Sequence, residues 1–151
     1  MLQGISKLLT GDILKVLCDM GHSDVLILAD ANFPGEAIAG HTSCGKLIRC
    51  PGITVTEIYR AVSGLFPLDV YYTRHPACVM DLTDSDKARN MPEPSVWGEF
   101  ADILREQYPD MALGKLEREE FYRQARQAYA VIQTGEERQY GNLLLAKGVL
   151  I

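Results

Sequence analysis

"MGHSDVLILADANFP", Met20 to Pro34, holds five consecutive apolar residues, Val25 to Ala29, between a histidine and an aspartate. A short, uninterrupted apolar run of this kind is typical of a strand that is covered on both faces of a sheet. His22 precedes the run and Asp30 follows it, so these two polar side chains are expected at opposite ends of one buried strand. The stretch therefore predicts a doubly covered sheet with polar residues at its edges.

Helical patterns alternate with further apolar runs along the rest of the chain. The stretch "TVTE" from Thr54 to Glu57 is a capping box, which predicts the start of a helix, whereas "DSDKARNMPEP" indicates a polar surface loop. The predicted helices cover residues 12–20 and 119–128, with others after Thr54 and after a capping Ser95, and the predicted strands cover 25–29, 70–72, 77–82, 129–134 and 142–145. This alternation predicts a single α/β domain over residues 1–151, in three layers, with a largely parallel sheet covered by helices on both faces.

The composition narrows the possible functions. The chain has 151 residues, 47% of them hydrophobic, which is enough for one domain with its own core. Fifteen basic and 20 acidic side chains give a net charge of -5, and no segment gathers the basic ones, so we expect no binding to nucleic acid. No apolar run approaches the roughly 20 residues of a membrane span, and the N-terminus resembles no signal peptide. These features predict a cytoplasmic protein with reduced thiols.

Several common site motifs are missing from the sequence. There is no GxGxxG or GxxxxGK[ST] phosphate cradle and no GxSxG nucleophile turn. Cys44 and Cys50 flank a loop that lies close to His41, which leaves a metal-binding protein as one alternative. Three soft ligands in one flexible loop do not define a metal site, however, and we expect none.

Three candidate residues belong to the first half of the chain. His22 follows a predicted helix, where a cation favours the helix dipole, but a histidine is equally suited to general acid or base catalysis near neutral pH. Asp30 lies at the carboxyl end of the first strand, where ligands bind in open α/β sheets, and is also suited to cap the turn "DANFP". Asp69, in "PLDVYY", precedes another predicted strand and is suited either to a site or to a simple turn.

Two further pairs lie near the C-terminus. Arg118 and Tyr122 are four residues apart and share a face if the segment is helical, commonly as a solvated arginine over a half-buried tyrosine. Tyr140 and Asn142 are two residues apart before an apolar run, so extended backbone would turn both toward one small polar ligand. A Gly-Asn turn is the alternative for that second pair.

Long segments at both ends of the chain resemble those of a known family. "MGHSDVLILADANFP" and "REEFYRQARQAYAVIQTGEERQYGNLLLAKGV" resemble the opening and closing signatures of the RbsD/FucU sugar mutarotases. "LIRCPG", "PLDVYY" and "PSVWGEFADIL" extend the resemblance over nearly the whole chain, which is most similar to the animal-like branch acting on L-fucose. The resemblance implies an isomerase that interconverts the α and β anomers of L-fucose by acid/base ring opening, without cofactor or metal. A ribose-pyranase-like enzyme and a non-catalytic monosaccharide-binding module remain as alternatives.

The resemblance also implies roles for particular residues. It assigns His22 as a general acid and places Asp69 at the site, which makes these two the catalytic candidates. The sugar-binding candidates are Asp30, Asp69, Arg118, Tyr122, Tyr140 and Asn142. Two departures stand out: Ser23 replaces a glycine common after the histidine, and Glu119 replaces an aromatic residue that often follows the arginine.

The spacing of His22 and Asp30 raises a geometric question. Eight residue steps separate them, or about 26 Å at about 3.3 Å per extended residue, which is too far for one monosaccharide to span. Either the chain folds back at "GHSD", or each site combines residues of two subunits. We favour the second arrangement, which predicts a homo-oligomer with its site at or near the subunit interface.

Overall fold

A computed structural model describes residues 2–151 and contains one sheet of six strands. The strands are β1 (Val25–Ala29), β2 (Leu47–Cys50), β3 (Ala77–Met80), β4 (Gly114–Leu116), β5 (Ala130–Thr134) and β6 (Leu143–Ala146), in the spatial order β2-β5-β1-β6-β3-β4. Each pair is parallel except that β6 runs antiparallel to its neighbours β1 and β3. The predicted largely parallel sheet is therefore confirmed. We call the edge where Asp30 follows β1 the carboxyl edge, and the edge where His22 precedes it the amino edge.

Residues 2–151 form six helices, five of which pack on the sheet. They are α1 (Gly11–Asp19), α2 (Gly35–Ala39), α3 (Val55–Ser63), α4 (Asp84–Ala88), α5 (Ser95–Gln107) and α6 (Arg118–Arg126). The predicted capping box is confirmed, because the Thr54 side chain accepts from the Glu57 N–H and the Glu57 carboxylate accepts from the Thr54 N–H. Within residues 2–151 there is no helix whose length and apolar character would let it cross a membrane.

Two apolar layers enclose the sheet, one on each face. Leu26 and Leu28 of β1 pack in the layer formed with α1, α3 and α5, while Ile27 and Ala29 pack in the layer formed with α2 and α6. All four side chains are fully buried, and burying a large aliphatic side chain stabilises a fold by about 1.5–3 kcal/mol. This two-sided burial explains why β1 is apolar at every position, and it confirms helices on both faces.

Some local predictions were wrong. Residues 70–72 form turns instead of a strand, because the Thr73 N–H donates to the Asp69 carbonyl and the preceding Leu68 makes only an isolated bridge to Lys147. The segment predicted as a loop contains α4, which Thr83 caps by accepting from the Asp86 N–H. Ser95 is the first residue of α5 and not its cap. The short elements α2, β2 and β4 were not predicted.

Candidate functional site

A polar pocket opens at the carboxyl edge of the sheet. Its volume is about 540 Å³, within the range of small-molecule sites. We call it the carboxyl-edge pocket, and its lining consists of Asp30, Asn32, Phe33, Met80, Asp86, Arg89, Arg118, Tyr122, Gln139, Tyr140 and Asn142. The structure thus brings together the predicted residues Asp30, Arg118, Tyr122, Tyr140 and Asn142, which are far apart in the sequence.

Asp30 and Asn142 form a buried, doubly bonded pair in this pocket. Asn142 Oδ1 accepts from the Asp30 N–H at 2.9 Å, and Asn142 Nδ2 donates to Asp30 Oδ2 at 2.8 Å. Asp30 Oδ1 accepts from the Asn32 N–H at 3.0 Å, so Asp30 also closes the turn that the sequence offered as its alternative role. Burial raises the pKa of the Asp30 carboxyl above its ordinary value, and hydrogen bonds from Asn32, Phe33 and Asn142 offset part of this effect.

Tyr140 reaches the pocket from a constrained turn. Its φ of +61° lies in the left-handed region, which bulky residues rarely adopt. Trp97 Nε1 donates to the Tyr140 carbonyl at 3.0 Å, which holds the turn. A Cβ on the following Gly141 would lie 2.7 Å from Glu136 Cγ, so this close approach of the backbone favours glycine. Tyr140 and Asn142 share one pocket, as predicted, but the extended backbone from which this was inferred was the wrong geometry.

Arg118 and Tyr122 form the helical side of the pocket. The Glu117 carboxylate caps α6 by accepting from the Glu119 and Glu120 N–H groups, which places Arg118 in the first turn. Arg118 Cζ lies 5.7 Å from the Tyr122 ring centroid, so the predicted shared face is confirmed. In the part of the chain that the structure describes, the Arg118 guanidinium has no ion-pair partner, which leaves its donors for a ligand.

Asp86 and Arg89 also line the pocket, and neither residue was predicted. Asp86 Oδ2 accepts from the Thr83 hydroxyl at 2.6 Å and from the Tyr140 phenol, and Arg89 pairs with Asp86 Oδ1. The hydrogen bonds from Thr83 and Tyr140, together with Arg89, lower the pKa of Asp86 to about 2. The pattern Thr83-x-x-Asp86 is a capping signature that would have predicted α4 and drawn attention to this carboxylate.

His22 and Asp69 pair at the opposite, amino edge. His22 Nε2 lies 3.3 Å from Asp69 Oδ1, and the Thr73 hydroxyl donates to Asp69 Oδ2 at 2.6 Å. The Asp69 side chain is 2% exposed and that of His22 is 39% exposed, so a buried carboxylate holds an accessible imidazole. Burial acts to raise the pKa of Asp69, but hydrogen bonds from Thr73 and His22 outweigh it and hold the pKa below its ordinary value.

The cation that lies at the C-terminal end of helix α1 is the side chain of Lys147 and not that of His22. Lys147 Nζ donates to the carbonyls of Leu17 and Met20, each at 2.6 Å. His22 instead turns toward Asp69 and packs against the edge of the Tyr72 ring, with centroids 5.0 Å apart. Stabilisation of the helix dipole therefore does not explain the histidine.

The His22–Asp69 pair and the carboxyl-edge pocket are separate within one chain. The extended strand β1 lies between them and spans about 13 Å by itself at about 3.3 Å per residue. The chain does not fold back at "GHSD". The Ser23 N–H donates to the Lys147 carbonyl at 2.8 Å, and Lys147 directly follows the last residue of β6, which lies beside Val25 at the amino edge. No single chain therefore presents all the predicted residues around one small ligand.

The loop between Cys44 and Cys50 offers no metal site among the described residues. His41 is exposed, Cys44 is half-buried, and Cys50 is buried at the end of β2. Within residues 2–151 no three His, Cys, Asp or Glu side chains are grouped to hold a metal ion. The geometry therefore gives no support to the metal-binding alternative.

Comparison with known proteins identifies the family. Residues 3–150 match the RbsD / FucU transport protein family, and the chain belongs to it. The chain is 46% identical over 150 residues to a fucose mutarotase of Homo sapiens, covering 99% of this chain and 94% of that relative. The crystal structure of a Streptococcus pneumoniae fucose mutarotase in complex with L-fucose superposes with a TM-score of 0.87 at 35% identity, covering 99% of this chain and all of that one. Bacillus subtilis RbsD complexed with D-ribose matches over the full length of both chains with a TM-score of 0.69 and 25% identity.

Proposed function

We propose that this protein is an L-fucose mutarotase, an isomerase that interconverts the α and β anomers of the free sugar. Full-length similarity to fucose mutarotases supports the substrate, and it exceeds the similarity to the ribose-bound relative. The observation that carries the catalytic part is the His22–Asp69 pair, because an accessible imidazole on a buried carboxylate supplies proton transfer and not just sugar contact. A binding module would not need it.

The carboxyl-edge pocket suits a deoxy-hexose. The Asp30 carboxylate accepts hydrogen bonds from sugar hydroxyls, and the Arg118 guanidinium donates to them. Phe33, Met80 and Tyr122 form an apolar wall for the C6 methyl group, and the rings of Phe33 and Tyr122 lie 5.7 Å apart. One methyl pocket discriminates by only about 1–3 kcal/mol, so related sugars are expected as weaker substrates.

The reaction requires two proton transfers. One group removes the anomeric hydroxyl proton while another protonates the ring oxygen, the C1–O5 bond breaks, and the ring closes on the other carbonyl face. An ionised Asp69 only accepts, so Nε2 of His22 carries the proton of this pair and Nδ1 is left with a free lone pair. His22 thus transfers one proton and Asp69 orients and stabilises it, a device that typically contributes about 10²–10⁴-fold. Because Asp69 is buried against His22, Tyr122 is the candidate for the other proton.

The active site is shared between subunits of a homo-oligomer. Each pocket is completed by His22 and Asp69 of a neighbouring chain, since these residues lie at the far edge of their own sheet. An exposed aromatic surface beside the pair supports this arrangement: Tyr71 is 68% exposed and Tyr72, in contact with His22, is 74% exposed. Large exposed apolar groups of this kind mark interaction surfaces.

The cytoplasm is the proposed compartment, and the proposed reaction needs no cofactor. Four cysteines are present as free thiols, which fits a reducing environment. Ring opening requires only proton transfer, and the described side chains supply the groups for it.

Saturation-transfer NMR between the α and β anomeric protons of L-fucose tests the proposal. Wild type is expected to accelerate the exchange, His22→Gln to lose about 10²–10⁴-fold, and His41→Gln, at an exposed position after α2, to match wild type. Full activity of His22→Gln would overturn the catalytic assignment. Sugar binding without acceleration by wild type would indicate the binding module, and faster exchange of D-ribose than of L-fucose would indicate the pyranase.

A further inference from the structure

The phenol of Tyr140 is inserted into the N-terminal cap of α4. In an ordinary capping box, the carboxylate at the third helical position accepts from the N–H of the cap residue. Here the cap residue is Thr83 and the carboxylate is Asp86, and Thr83 Oγ1 accepts from the Asp86 N–H at 3.3 Å as usual. The Thr83 N–H, however, donates to the Tyr140 hydroxyl oxygen at 3.3 Å, and that hydroxyl donates to Asp86. The phenol therefore bridges the two halves of the box.

This bridge fixes the direction of the Tyr140 hydrogen bonds. An ionised carboxylate accepts and does not donate, so Asp86 takes the single proton of the phenol. The Thr83 N–H occupies one lone pair of the phenolic oxygen, and the other lone pair is left for the pocket. Thr83 and Arg89 bind the same carboxylate and keep it in place. Toward the pocket, Tyr140 can then offer only an acceptor.

We infer that Asp86 is a positioning residue that makes Tyr140 a hydrogen-bond acceptor toward the sugar, so that this point of the pocket selects a ligand hydroxyl able to donate. The inference rests on the proposed sugar-binding function of the carboxyl-edge pocket. It has a chemical consequence that a donating tyrosine would not have. A fluorine substituent accepts but cannot donate, so replacing the selected hydroxyl by fluorine is as harmful as replacing it by hydrogen.

Asp86→Asn reverses this selection. The amide Nδ2 group donates to the phenolic oxygen, which frees the Tyr140 proton to point toward the ligand. In this variant a fluorine at the selected carbon becomes an acceptable acceptor. Asp84→Asn is the matched control, because Asp84 lies in the same helix turn, is exposed, and is outside the pocket lining.

The test is calorimetric titration with L-fucose and with its 2-, 3- and 4-deoxy and deoxyfluoro analogues. For wild type and Asp84→Asn, the carbon whose hydroxyl contacts Tyr140 should show roughly tenfold weaker binding for both the deoxy and the fluoro analogue, as should a carbon whose hydroxyl donates to Asp30. For Asp86→Asn, L-fucose itself should bind about tenfold more weakly, and the fluoro analogue at the carbon whose hydroxyl contacts Tyr140 should bind severalfold better than the deoxy analogue. A fluoro analogue that binds wild type much better than its deoxy counterpart at every carbon would overturn the inference.

A second measurement needs no sugar. The phenolic proton held by Asp86 should give a slowly exchanging, downfield ¹H NMR signal that is lost in Tyr140→Phe and in Asp86→Asn but kept in Asp84→Asn. Persistence of this signal in Asp86→Asn would refute the assigned direction of the bond. Wild type that binds L-fucose with the expected analogue pattern but does not accelerate anomer exchange would refute the mutarotase activity alone. Wild type that shows the phenolic signal and binds none of the sugars would refute the sugar-binding function.

Discussion

His22 Nε2 lies 3.3 Å from Asp69 Oδ1, at the edge of the sheet opposite to the pocket that holds Asp30 and Asn142. The carboxylate is buried and further fixed by the Thr73 hydroxyl, whereas the imidazole is accessible. Such a pair orients a histidine and stabilises its protonated form, but it contributes nothing to a ligand that stays in the pocket of its own chain.

Asp69→Asn should lower the rate of anomer exchange by about 10–100-fold, less than His22→Gln, because the imidazole remains but loses the charge that stabilises its cation. The affinity for L-fucose should change little. Thr73→Val should lower the rate by a smaller factor, and Thr73→Ser, which keeps the hydroxyl, should match wild type. Rates come from anomeric NMR exchange and affinities from calorimetry. A loss of affinity as large as the loss of rate in Asp69→Asn would argue for a structural role instead.

Mixing two inactive variants should restore activity if sites are shared between subunits. His22→Gln removes one half of each site and Asn142→Ala removes the other, so each alone should be inactive. After coexpression, about one quarter of the sites should combine two intact halves whatever the symmetry of the oligomer, and activity should approach that fraction of wild type. No recovery in the mixed oligomer would show that each chain acts alone.

Much of the fold could be predicted from the pattern of apolar residues, because the buried face of a strand or helix is visible in its own sequence. Residues 25–29 were predicted with their observed bounds, since a strand covered on both faces needs an apolar side chain at every position. The capping box of α3 was equally readable, since both of its partners lie within three residues. Residues 70–72 have the composition of a strand, but hydrogen bonds within the turn take precedence.

The site was harder to predict, because its geometry depends on distant contacts. Asp86 joins the pocket through Tyr140, a partner 54 residues away, and no local pattern reports such a bond. The apolar run 25–29 already predicted that His22 and Asp30 lie at opposite ends of one strand, but only the antiparallel pairing of β6 with β1 shows that Tyr140 and Asn142 lie at the Asp30 end. Local sequence indicates which residue types are available, and the topology decides which of them meet.

Arg138 should stabilise the loop that carries Tyr140 and Asn142. Its Nε donates to Glu136 Oε1 at 2.8 Å, and its guanidinium also pairs with Glu99 of α5. The Glu136 side chain is 3% exposed, so Arg138→Met leaves a buried carboxylate unpaired. Since Arg138 itself is partly exposed, we expect a loss of about 2 kcal/mol in the free energy of unfolding, below the value for a fully buried pair, with weaker sugar binding.

Urea denaturation measures this effect. Arg138→Lys should lose less, because it keeps a charge but not the bidentate geometry. Adding Glu136→Gln to Arg138→Met should recover part of the lost stability, because the unpaired charge is removed. A double variant less stable than the sum of the two single losses would contradict the ion-pair explanation.

Ser23 adopts a backbone conformation that glycine tolerates better. Its φ is +66°, and its N–H donates to the Lys147 carbonyl at 2.8 Å, a bond that any replacement except proline preserves. Glycine removes about 1–2 kcal/mol of strain in the left-handed conformation but costs about 0.5–1 kcal/mol in backbone entropy on folding. Ser23→Gly should therefore be neutral or should stabilise the fold by up to about 1 kcal/mol. Thermal denaturation beside Ser43→Gly, at an exposed position without positive φ and expected to be destabilised, tests this. Equal losses in both variants would refute it.

The stability contributed by Asp86 should disappear in acid. Its pKa is lowered to about 2 by Thr83, Tyr140 and Arg89, whereas an unfolded aspartate titrates near 3.9. A lowered folded pKa adds stability that is fully present above the unfolded pKa and is lost as pH falls through the folded one. The difference in unfolding free energy between wild type and Asp86→Asn should therefore be constant from about pH 7 to 5 and shrink as pH falls from about 4 toward 2. Urea denaturation across this range measures the difference, and Asp84→Asn, which replaces an exposed carboxylate in the same helix turn, is the control. A difference that grows in acid would show that the cap contributes by another route.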